Sequence, residues 1–129
     1  MIVSFRIIQS PIALAGLVSL LSGAVLADGP QAIATAVQHS GLAANAADID
    51  AVHRHLHHVL NCLVGPDGDG FDAASGNPCA AAGGAIPQTA DTAMKMKLEM
   101  AATQVRGGSA NANIEAAKKV ATDVQAMLR

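Results

Sequence analysis

Between residues 49 and 63 the apolar side chains Ile49, Val52, Leu56, Val59 and Leu63 step by three and four, and Gly65-Pro66 follows at once. That spacing lays one narrow stripe along one side of an α-helix, which a Gly-Pro pair then stops. A stripe this thin does not hold a helix folded in water, so the remaining chain must pack against it. The partners are helices. Beyond residue 27, Phe71 is the only ring besides the histidines, and alanine makes up about a quarter of the residues. Pleated sheets are built from β-branched and aromatic side chains, which excludes a β-sandwich. Alanine is the best helix former and lets backbones approach closely. The expected fold is all-α, a small four-helix bundle.

The first 27 residues read as a secretory leader. Arg6 is followed by an apolar run to Leu26, and Val25-Leu26-Ala27 places a small residue at the cut. An N-terminal membrane anchor is the competing reading of that run. The abrupt change to "DGPQ" favours cleavage after Ala27, leaving residues 28–129 as a single domain with no membrane contact. An exported, periplasmic or secreted, location follows. The chain carries 8 Lys or Arg against 10 Asp or Glu, without a basic block, so nucleic acid is not an expected partner. Its 2 cysteines, Cys62 and Cys79, both lie after the leader. In an oxidising compartment an even pair reads most simply as one disulfide.

Four helical segments are expected, at about 30–44, 46–64, 91–106 and 111–128. The first opens with Asp28 near its cap and Pro30 at its first helical position, where the missing N–H costs nothing. It carries Ile33, Val37 and Ser40 at helical spacing, and Gly41 either ends it or lies inside it. Asn45 with Asp48 three residues on resembles a capping box that starts the second helix. The third carries Met94, Leu98, Ala101 and Val105 on one face, with Gly107-Gly108 as its stop. The fourth carries Ile114, Ala117, Ala121, Val124 and Leu128, with a Glu115–Lys119 surface pair. Between the second and third lies 65–90, rich in Gly and Pro and without a periodic segment. A loop of that length needs a tie. Joining Cys62 to Cys79 supplies one, worth about 3 kcal/mol of unfolded-chain entropy, and Phe71 is expected to cap the core beneath it.

The chemistry is concentrated in "HRHLHHVLN", residues 53–61, which holds four of the 5 histidines. On a helical wheel His53 lies roughly 50° and His57 roughly 80° from the centre of the apolar stripe, on one flank. His55 and His58 fall on the other side, in line with Cys62. Two imidazoles at i and i+4 can chelate one ion, as in H-E-x-x-H helices. Neutral imidazole suits Cu(II), Ni(II) and Zn(II), and a pair needs a third ligand. His39 near the end of the first helix, or Asp50 at i, i+3, i+7 with His53 and His57, could supply it. Against this stands the plainer reading that histidines on a helix are solvated or packed, with no ion and with a structural or interaction role. The remaining motifs are weaker. Asp67, Asp69 and Asp72 in "DGDGFD" lack the later bidentate Glu of a calcium loop and read as turn formers. Met94, Met96 and Met100 offer soft thioethers for Cu(I), but Met94 belongs to the expected core stripe. Without C-x-x-C-H, covalent haem attachment is excluded, and no haem is expected. No acid, base and nucleophile set can be assembled, so an enzyme is not expected.

"HLHHVLNCLVGP", "GFD" and "GNPC" together resemble a set of short exported bacterial proteins of uncharacterised function, over residues 53–79. The resemblance implies a shared unit of histidine-bearing helix plus disulfide loop, and no activity. More loosely, a helical hairpin with spaced histidines is similar to small periplasmic metal-binding bundles. The chain departs from those in its disulfide and its fewer histidines. The sequence thus leads to a binding function, with His53 and His57 as the core of a divalent-metal site.

Overall fold

The computed structural model describes residues 29–129. The leader, its cleavage after Ala27 and the capping role of Asp28 lie outside the described residues. Five helices follow in order: α1 (Gly29–Ala44), α2 (Ile49–Val64), α3 (Ala85–Gln88), α4 (Thr92–Ser109) and α5 (Ile114–Leu128). α3 is a single turn, so the architecture is a four-helix bundle built from the other four, with no strand among the described residues. α1 packs on α2 and α5, α4 packs on the same two, and α2 also meets α5 across the diagonal. α2 is therefore the central element. Short joints at 45–48 and 110–113 make antiparallel hairpins of α1–α2 and α4–α5.

The stripe of α2 behaves as its spacing predicts: Val52, Leu56, Val59 and Leu63 are all fully buried. Each such side chain contributes about 1.5–3 kcal/mol through removal from water. α5 follows its stripe as well, with Ala117, Ala121, Val124 and Leu128 buried. α1 turns Ala32, Ala36, Ser40 and Ala43 inward, while Ile33 and Val37 pack at the margin. The small residues form the inner face because they let α1 lie close to its neighbours. Ser40 stays satisfied there by donating its hydroxyl to the Ala36 carbonyl at 2.9 Å.

Helix ends depart from expectation at the start of α2 and at the end of α4, and the open question of Gly41 is decided. Asp48, not Asn45, caps α2, accepting from the Ala51 amide at 2.8 Å. Asn45 instead closes α1, its Nδ2 donating to the Gly41 carbonyl at 2.8 Å. Gly41 itself lies inside α1, where a Cβ would come within 2.5 Å of Gln125 Nε2 on α5. Gly107-Gly108 does not stop α4, which runs on to Ser109. Gly108 is buried where α2, α4 and α5 meet, and a Cβ there would stand 2.8 Å from Val120 Cγ1 and 3.1 Å from Leu56 Cδ1. That glycine serves close approach between helices, so its presence does not mark a helix end.

Two surface expectations also change. Met94 is 40% exposed and does not join the core of α4, which consists of Leu98, Ala101, Ala102 and Val105. Lys119 pairs with Asp123 at 2.6 Å, the next turn on from Glu115. The long loop is ordered by the tie the cysteines predict, a Cys62–Cys79 disulfide with Cα atoms 5.1 Å apart. It contains a 3-10 turn at Ala73–Ser75, capped by Asp72, whose Oδ1 accepts from the Ala74 amide at 2.9 Å. Asp72 thus does the turn-forming work expected of "DGDGFD". Phe71 packs, half-buried, against the core.

Candidate metal centre

In the α1–α2 hairpin, positions equally distant from the joint lie level with one another. His39 and His55 are each eight residues from Ala47 and face each other across the two helices. His58, three residues beyond His55, comes round to the same flank. The Nδ1 atoms of His39 and His55 stand 3.1 Å apart, and those of His39 and His58 stand 3.3 Å apart. One ligand nitrogen from each ring lies within 4.8 Å of the other two, and this is the only group of three or more such ligands among the described residues. The rings are tilted or edge-on, with centroids 4.7–5.7 Å apart, so they do not stack face to face, and His39 meets each of the other two through Nδ1. Imidazole bonds to Zn(II) of about 2.0–2.1 Å in a tetrahedral shell imply nitrogen–nitrogen edges of about 3.3 Å. The 3.1 and 3.3 Å edges are close to that spacing.

The loop sets the state of one ring. His58 Nε2 lies 2.6 Å from the Ser75 carbonyl oxygen. A carbonyl only accepts, so Nε2 carries the hydrogen, which leaves Nδ1, facing His39, as the nitrogen available to ligate. Metal-ligating histidines are commonly oriented by such an outer partner. A single proton on His39 Nδ1 can bridge to His55 or to His58, but not to both at full strength. A cation satisfies all three lone pairs at once.

Burial depresses the His39 pKa most, and the neighbouring His58 and His55 add to it, bringing it from 6.5 to about 4. The His55 pKa is lowered too, first by burial, then by His58 and Arg54. Both rings are therefore neutral near pH 7, the form a metal requires. Less proton competition at His39 extends its ligating range toward acid.

The pair at the centre of the sequence reading is placed elsewhere. His53 Nε2 donates to the Asn111 carbonyl at 2.8 Å and so fastens the α4–α5 joint to α2. His57 faces the loop, with Nδ1 3.7 Å from Asp72 Oδ2. Asp72 is held chiefly by the Ser75 hydroxyl, which keeps its carboxyl below the usual range, with the Ala74 amide and His57 acting in the same direction. Asp50 lines a shallow hollow with His53, Arg54 and His57. The structure does not bring His39 or Asp50 together with His53 and His57 as one group of ligands. His53 and His57 lie on one flank of α2 and His55 and His58 on another; which flank meets α1 depends on the handedness of the bundle, which the periodicity of one helix does not contain.

Two participants had no sequence signal strong enough to name them. Asn61 is fully buried and binds the loop by three hydrogen bonds. Its Nδ2 donates to the Asp72 and Gly76 carbonyls at 2.8 and 2.7 Å, and its Oδ1 accepts from the Asp72 amide at 2.9 Å. The other is the Ser75 carbonyl, a backbone group that any residue would supply. An uncharged polar residue directly before a disulfide cysteine, amid "LNCLV", is the only hint of Asn61. No protein-family model matches the chain, and no curated protein or solved structure matches it.

Proposed function

We propose that this protein is an exported binder of a divalent transition metal, Cu(II), Ni(II) or Zn(II), held by His39, His55 and His58. The observation that carries the reading is the convergence of three Nδ1 atoms from two helices, with edges of 3.1 and 3.3 Å. Imidazole is a borderline ligand that suits these ions better than calcium or magnesium. The outer contact from His58 to Ser75 supports the same reading, because it directs a lone pair inward. Export is supported by the leader-like first 27 residues and by the Cys62–Cys79 bridge. No helix among the described residues is long and apolar enough to cross a membrane. The role assigned is holding the ion. A roomier hollow of about 430 Å³ lies apart from it, lined by Val64, Ile86, Lys95 and Arg106 among others.

Calorimetric titration of each ion into untagged protein tests the proposal, beside a His39→Ala/His55→Ala/His58→Ala variant. One ion per chain at micromolar or tighter affinity, lost in the variant, is the expected result. Equal, millimolar affinity in both proteins would leave a structural or interaction module as the better account.

A further inference from the structure

The triad is not built by α1 and α2 alone. One of its three rings is set by a loop, and that loop is closed by a covalent bond. His58 Nε2 donates to the carbonyl of Ser75 at 2.6 Å, and Ser75 ends the 3-10 turn of the loop. Asn61 holds the same turn on both sides, through Asp72 and Gly76. The loop leaves α2 just after Cys62 and returns to it at Cys79, and that cysteine also sits against α1, with Sγ 3.8 Å from the Ala32 carbonyl. The disulfide thus pins the loop back onto the hairpin that bears the histidines. With the ring open, residues 65–84 would form one long tether rich in glycine, held near His58 chiefly by the Asn61 hydrogen bonds and the packing of Phe71.

We propose that metal competence of the triad is conditional on the Cys62–Cys79 bridge, with Asn61 as the positioning residue that passes the constraint to His58. This rests on the metal-binding reading above and adds the order of events: the bridge forms first, the ion enters second. The bridge arises by thiol–disulfide exchange with a disulfide oxidant. The two thiols of Cys62 and Cys79 lose two protons and two electrons, one S–S bond forms, and the oxidant's S–S bond becomes two thiols. Both cysteines are buried in the finished fold, at 0% and 2% exposure, so the bridge is shielded from reductants once made. It acts as a checkpoint passed once during maturation. A chain still reduced, as it would be before export, lacks the fixed loop and does not capture the ion at full strength.

The test is Zn(II) affinity of the bridged protein against Cys62→Ser/Cys79→Ser, which removes the bridge without adding thiols that would bind zinc themselves. A second variant, Asn61→Asp, keeps the bridge and the acceptor for the Asp72 amide but loses both donors to the loop carbonyls. Hydrogen exchange at residues 72–76 and helix content are measured on each. The expected result is about a tenfold or greater loss of affinity in both variants, the usual consequence of losing an outer-shell partner, with faster exchange at 72–76 and helix content kept. Unchanged affinity in either helical variant overturns the proposal. Should the serine variant lose its helices, Asn61→Asp decides. Absence of zinc binding by the bridged protein itself would instead sink the metal-binding reading, so the two failures are separable.

Discussion

The two flanks of α2 carry two histidines each and use them differently. On the flank toward α1, His55 and His58 both turn Nδ1 toward His39 Nδ1. On the other flank, His53 Nε2 donates to the Asn111 carbonyl of the α4–α5 joint, and His57 Nδ1 faces the loop 3.7 Å from the Asp72 carboxylate, buried and without a hydrogen bond. A ring nitrogen within reach of an oxygen acceptor, as in His53, is satisfied by its own proton. Ring nitrogens facing one another compete for too few protons, and an ion relieves that competition. The same residue type on one helix thus serves the scaffold on one side and offers candidate ligands on the other, according to what the bundle places opposite.

The sharpest way to break this contrast is to remove rings from each side in turn. His58→Ala is expected to weaken metal binding by more than about 100-fold, beyond the usual cost of an outer-shell change. His53→Ala/His57→Ala should leave the affinity within a few-fold of the parent in the same calorimetric titration. The reverse ranking would reassign the site to the pair the helical wheel favours. Next in size, Asn61→Ala should cost about 1–3 kcal/mol in urea unfolding, since it strands loop groups that lose their buried partner. A smaller effect is expected for His53→Ala, about 1 kcal/mol for the bond to the Asn111 carbonyl.

The smallest expected effect is a pH dependence. His39 binds its proton at about 4 in the folded chain against 6.5 for an ordinary imidazole, so between those values the unfolded chain holds more protons. Stability of the metal-free protein should be flat above 6.5 on this account and fall as pH drops toward 4, with His55 acting in the same direction. A His39→Gln variant should show a shallower decline over that window by thermal unfolding. An identical slope would show that the ring is not neutral by burial. Asp72 acts lower still: its contribution is present above 3.8 and lost as pH falls through its depressed value.

Much of the fold was legible because it follows from short-range rules. The three-and-four spacing of Val52, Leu56, Val59 and Leu63 predicts a buried helix face, and two cysteines around a Gly-Pro-rich loop predict its closure. Misreadings arose where one residue has two possible uses. Asn45 can start a helix or finish one, and it finishes α1. Gly108 can stop a helix or admit a neighbour, and it admits Val120 and Leu56. The site was legible as a set of histidines but not as a grouping. That grouping depends on which flank of α2 meets α1 and on a backbone carbonyl at Ser75, and neither is written in the identity of any residue.

The central claim is that three Nδ1 atoms, and no others, meet at one ion. Two-bond proton–nitrogen correlation spectra of the histidine rings, recorded while Zn(II) is added, test it most directly, because they distinguish Nδ1 from Nε2 ring by ring. Zinc-induced shifts confined to Nδ1 of His39, His55 and His58, saturating at one ion per chain, are the expected result. Shifts at His53 and His57 in their place, or through Nε2 of His58, would contradict it.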